Sequence, residues 1–143
     1  MSVTLVQASL IVDTALTKGR EMKLAPLTVA VLDAGGHLAA FKREDGSGIL
    51  RYDIAYGKAW GALGLGFGTR EVAKRSAANP NFLIAFSAAS GGRLIPSPGG
   101  VLIRDAGGAV IGAVGISGDS GYNDETCALA GIAAAGLTGD TGA

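Results

Sequence analysis

One four-residue word occurs twice, and it constrains this chain more than any other feature. Asp33-Ala34-Gly35-Gly36 and Asp105-Ala106-Gly107-Gly108 each separate two apolar runs. The first lies between Thr28-Val29-Ala30-Val31-Leu32 and His37-Leu38-Ala39-Ala40-Phe41-Lys42, the second between Val101-Leu102-Ile103-Arg104 and a run from Ala109 to Ser117. Short, branched runs bounded by turn residues read as strands. The glycines supply the positive φ that a tight reversal needs, and the aspartate accepts hydrogen bonds from turn N–H groups. The sequence therefore predicts two hairpins with one kind of turn, and it assigns Asp33 and Asp105 to holding those turns.

The rest of the chain reads mostly as helix. Leu5, Ala8, Val12, Ala15, Leu16 and Met22 recur at helical spacing, and Thr4 with Gln7 forms a capping box that starts the helix near Leu5. A second helix carries Ile49, Ile54, Ala55, Ala59, Ala62 and Leu63 on one stripe, with Tyr56 and Trp60 beside it, and ends at the glycines of 64–68. Thr69 is expected to cap a short third helix. Asn79-Pro80 opens a fourth, stopped by Gly91-Gly92. The last runs from Asn123 or Asp124 to Gly136. The order helix, hairpin, three helices, hairpin, helix predicts an α+β class, an antiparallel sheet covered by helices in a profilin-like or PAS-like plan. At 143 residues it is expected to be a single domain spanning 1–143.

Composition narrows the partners. Twelve basic and twelve acidic residues give no net charge, so nucleic acid and anionic membrane surfaces are not expected partners. No stretch reaches the roughly 18 apolar residues of a spanning helix. Glycine numbers 24 and alanine, counted along the chain, 25, with only 17% charged residues. Small apolar side chains at this density predict flat faces that pack between subunits, hence a homo-oligomer. The start of the chain lacks the features of a secretory leader, and Cys127 has no disulfide partner, which points to a cytoplasmic setting.

Chemistry-bearing residues fall in three places. Pro96-Ser97-Pro98-Gly99-Gly100 precedes a strand, where the N–H groups of Gly99 and Gly100 could form an anion-binding nest with Ser97 beside them; a rigid strand-entry loop is the other reading. Around the start of the last helix, Asp119, Tyr122, Asp124, Glu125 and Cys127 gather carboxylates, a phenol and a thiol. Arg51, Tyr52, Tyr56 and Lys58 on the second helix could line a pocket against them, or Lys58 could simply pair with Asp124. His37 is the only histidine, which rules out a Ser/His/Asp triad lacking it and limits any metal site. The run Gly64 to Gly68 has neither the spacing nor the flanking strand of a dinucleotide loop.

Taken in order, Leu32-Asp33-Ala34-Gly35-Gly36-His37-Leu38, Arg43-x-Asp45-Gly46, Lys58, Phe82, Pro98-Gly99-Gly100-Val101 and Gly112 to Gly118 leading to Asp124-Glu125 resemble the GlcG/HbpS-like family over nearly the whole chain. The resemblance implies a five-stranded antiparallel sheet flanked by helices, assembly from dimers up to octamers, and a small-molecule ligand. For the haem-binding members it implies haem or a related tetrapyrrole, for which the axial donors here are His37, Cys127, Tyr122, Tyr52, Tyr56 and Met22. The alternative is a cofactor-independent enzyme acting on a small carboxylate or oxygenated catabolite. There the anion rests on Gly99 and Gly100, Lys58 or Arg51 neutralises charge, and Asp124 or Tyr122 moves a proton. No bound metal other than haem iron is expected.

Overall fold

The computed structural model describes residues 1–143. It contains α1 (Leu5–Glu21), β1 (Thr28–Asp33), β2 (Leu38–Arg43), α2 (Arg51–Leu65), α3 (Thr69–Ala78), α4 (Pro80–Ala89), β3 (Gly100–Arg104), β4 (Val110–Ser117), α5 (Gly121–Ala134) and β5 (Thr138–Asp140). The strands form one antiparallel sheet in the order β2-β1-β4-β3-β5. Both hairpins form, and their turns share one device. Asp33 Oδ1 accepts the N–H of Gly35 and of His37 at 2.9 Å each. Asp105 Oδ1 accepts those of Gly107 and Ala109 at 3.0 Å each. Gly36 and Gly108 take φ of 82° and 86°.

Alternation along the strands divides the core between two faces. Val29, Val31, Val101, Ile103, Val114 and Ile116 pack under α1 and α5 with Ile11, Val12, Cys127 and Ile132. On the other face Leu32, Leu102 and Ala113 meet Ala59 and Ala62 of α2. Here α2 lies almost flush on the sheet. A Cβ on Gly115 of β4 would stand 1.8 Å from the carbonyl oxygen of Ala55, and one on Gly57 would stand 2.3 Å from that of Arg93. Part of the small-residue content therefore serves close approach inside the chain.

Three local expectations need correction. Ile49, expected on the apolar stripe of the second helix, precedes α2 and is 95% exposed. Gly68 occupies the cap position of α3, and Thr69, its first residue, is buried with its hydroxyl turned across to the N–H of Gly100 at 2.8 Å. Helix α5 begins two to three residues early, at Gly121, because the Ser120 hydroxyl caps it by accepting the N–H of Asn123 at 3.3 Å. The fifth strand that the resemblance implies is present as Thr138-Gly139-Asp140, which carries no strand-forming pattern of its own. It is placed by pairing with β3, where Arg104 binds Asp140 Oδ2 at 2.8 Å.

Helix α4 is the exception to this packing. It has no buried residue and no charge, and Ile84 is 68% exposed. No helix is long and apolar enough to cross a membrane.

Candidate functional site

The middle of α2 and the first turn of α5 meet at the end of β4. Lys58 and Asp124 are 3% and 1% exposed. Lys58 Nζ donates to the Ile116 carbonyl at 2.8 Å and to Asp124 Oδ2 at 3.1 Å. Asp124 Oδ1 accepts the N–H of Asp119 at 3.1 Å. Removal from water dominates both groups: it pushes the ammonium pKa down and the carboxyl pKa up, and the attraction between them opposes each shift. Gly99 closes the cluster at φ 118°, where a Cβ would stand 2.9 Å from Lys58 Nζ. Only glycine allows so close an approach in that conformation.

Lys58, Asp124, Gly99 and Gly100 are thus brought together. The Gly100 N–H, however, is already taken by Thr69. Arg51 adjoins the cluster, its guanidinium donating to Ser117 Oγ at 3.1 Å and its charge contributing to the lowered pKa of Lys58. Ser97 lies over the start of α5, its Oγ 2.9 Å from where a Gly121 Cβ would be. Chemically, the buried pair ties α2, β4 and α5 beneath the Ser97–Gly99 segment.

The other candidates lie elsewhere. Tyr122 is exposed, with the Arg70 guanidinium 4.6 Å from its ring centre, and Arg70 also forms a two-point ion pair with buried Glu125. Tyr52 stands between Phe41 and Tyr56, with ring centres 5.2 and 5.9 Å away. Cys127 is fully buried in the α1–α5 core, and burial raises its thiol pKa to about 11.

His37 stands at the mouth of the first hairpin, where its turn borders the outer face of α2. Ala34, Gly35, Gly36, Trp60, Leu63 and Gly64 line a shallow cleft of about 210 Å3 there. Trp60 and Gly64 also belong to a second cleft of about 250 Å3, walled by Leu65, Phe86 and Leu94. Arg93 places its guanidinium 4.1 Å from the Trp60 ring centre. From sequence Trp60 reads as packing beside the second helix's stripe, and Arg93 carries no signal of its own. The one available signal was Tyr52, Tyr56 and Trp60 at successive spacings of four, which puts three aromatics on one helix face.

The family model for haem-degrading HbpS-like proteins matches residues 3–133. The chain belongs to the HbpS-like family. Its HbpS-like fold recurs in the Klebsiella pneumoniae protein ORFY, with a TM-score of 0.83 and 29% identity over 94% of this chain and 90% of that one. HbpS itself superposes with a TM-score of 0.79 and 30% identity over 93% and 89% of the two chains. PduOC, solved as a haem complex, gives 0.85 over 96% and 97%, with 23% identity, a likeness of fold alone. No curated protein matches the sequence.

Proposed function

We propose that this HbpS-like chain binds haem or a related tetrapyrrole, in the cytoplasm, as a homo-oligomer. The observation that carries the reading is the family match over residues 3–133, whose description is haem-degrading. HbpS at 30% identity and the haem complex of PduOC, which has the same fold, support it. The group fits what the chain offers: an exposed imidazole at His37, an apolar surface around Trp60 and, at Arg93, a guanidinium that donates to the Ser90 carbonyl but has no acidic partner. When bound, haem would supply an iron centre with an open or exchangeable axial position. The two clefts beside Trp60 hold about 210 and 250 Å3, below the roughly 300–1,000 Å3 of a complete ligand pocket. The bare apolar face of α4 adjoins them through Phe86. A pocket completed by a second copy, in assemblies from dimer to octamer, meets both facts. Titration of the purified protein with haemin tests this: a saturable, stoichiometric Soret band is expected, and an unchanged haemin spectrum would end the proposal.

A second reading keeps the cofactor-independent enzyme, on the one observation that the fold converges an ammonium, a carboxylate and Gly99. It requires the Ser97–Gly99 segment to move aside so that a small carboxylate reaches Lys58. Turnover of such a substrate that survives Lys58→Met and Asp124→Asn would remove it.

A further inference from the structure

A histidine that ligates metal commonly donates its other ring N–H to a carboxylate, which fixes the tautomer and leaves one lone pair free. His37 has this arrangement. Its Nδ1 lies 3.1 Å from Asp33 Oδ1, an oxygen that the N–H groups of Gly35 and His37 already hold in place. An ionised carboxylate only accepts, so in neutral His37 the proton sits on Nδ1 and Nε2 carries the free lone pair. The side chain is 82% exposed.

The sister turn provides an internal comparison. Asp105 makes the same two backbone hydrogen bonds, to Gly107 and to Ala109, so the place His37 fills in the first turn holds alanine in the second. The turn needs its aspartate but not an imidazole. What distinguishes the first turn is its setting: Gly35 and Gly36 border the cleft against Trp60, and no acidic residue lines either cleft. Arg93, stacked over Trp60, forms no ion pair. Of the other donors, Tyr56 donates to the Gly36 carbonyl at 3.4 Å, Cys127 is in the core and Met22 packs against it; Tyr122, under Arg70, and Tyr52, between Phe41 and Tyr56, are exposed, but neither hydroxyl has the carboxylate partner that orients His37.

We propose that His37 Nε2 is the axial donor to haem iron, with Asp33 as its positioning residue, Trp60 as the wall for the porphyrin edge and Arg93 as the partner of a propionate. This rests on the haem reading above and specifies it. His37 would offer the Nε2 lone pair to the iron and keep its Nδ1 proton on the hydrogen bond to Asp33. The carboxylate thereby makes the imidazole a stronger donor.

The test compares haemin spectra of the whole protein with those of His37→Gly, Asp33→Asn and Arg93→Ala, with circular dichroism verifying that each is folded. Wild type is expected to give the absorption of a histidine-ligated haem. His37→Gly should lose it and regain it on adding free imidazole. Asp33→Asn should keep a bound haem but shift its reduction potential upward, and Arg93→Ala should weaken binding by about two- to fivefold, as for an exposed ion pair. If wild type binds haemin and His37→Gly gives the same spectrum, the donor assignment is wrong while haem binding stands. If wild type itself leaves the haemin spectrum unchanged, both fall.

Discussion

Lys58 and Asp124 show how much a buried charge depends on its partner. Removing one member leaves the other charged and unpaired in the interior, at a cost of about 3–5 kcal/mol, whereas replacing both with apolar residues of similar size often costs far less. Urea denaturation should therefore find Lys58→Met and Asp124→Asn each strongly destabilised and Lys58→Met/Asp124→Leu closer to wild type. The pH dependence has a definite sign. Burial raises the Asp124 pKa above its ordinary 3.8, so the folded chain holds that proton more tightly than the unfolded one. The stability this contributes is complete below pH 3.8 and is lost as pH rises through the folded value. The stability difference between wild type and Asp124→Asn should accordingly fall as pH is raised from about 4; a difference that grows would contradict the assignment. At Cys127, with its thiol raised to about 11, reaction with a disulfide reagent at neutral pH should be slow in the native protein and fast in urea. Which of these residues would meet was only partly legible from sequence. Lys58 with Asp124 was readable as an ion pair because each sits on a helix with an apolar flank. The loss of the Gly100 N–H to Thr69 depends on a contact 31 residues apart that no local pattern announces, and Cys127 is buried by packing against α1 from the other end of the chain.

At the scale of elements, the repeated turn word made both hairpins readable, and Thr4 with Gln7 and Asn79 with Pro80 marked two helix starts that the structure keeps. Elsewhere local signals were absent or overridden. Strand β5 has three residues and a central glycine, and exists through its pairing with β3. Thr69 looked like a cap, but its hydroxyl serves the sheet. The close seating of α2 on β4 gives a sharp expectation: Gly115→Ala should overpack the contact with Ala55 and cost about 1–3 kcal/mol or more, read as a lowered denaturation midpoint. On α4, which buries no residue completely and leaves Ile84 68% exposed, Ile84→Asp should leave the protomer folded and reduce the size of its assembly in light scattering. An unchanged size would take α4 out of the subunit contact.

For the whole molecule, zero net charge, a small-residue sheet and two incomplete clefts around one tryptophan describe a protomer whose binding surface is open. The proposed haem site on that surface rests on the family membership and on the His37–Asp33 turn. Sequence carried the fold and the family through an ordered set of short motifs. It did not carry the site, because Trp60, Gly36 and Arg93 come from three separate segments. The most direct single measurement is sedimentation velocity of the haemin-loaded protein, followed at once in the ultraviolet and at the Soret band. Both signals should move together at the rate of an oligomer, with the haem in fixed ratio to the chain. Soret absorbance that sediments with the monomer, or separately from the protein, would contradict that expectation.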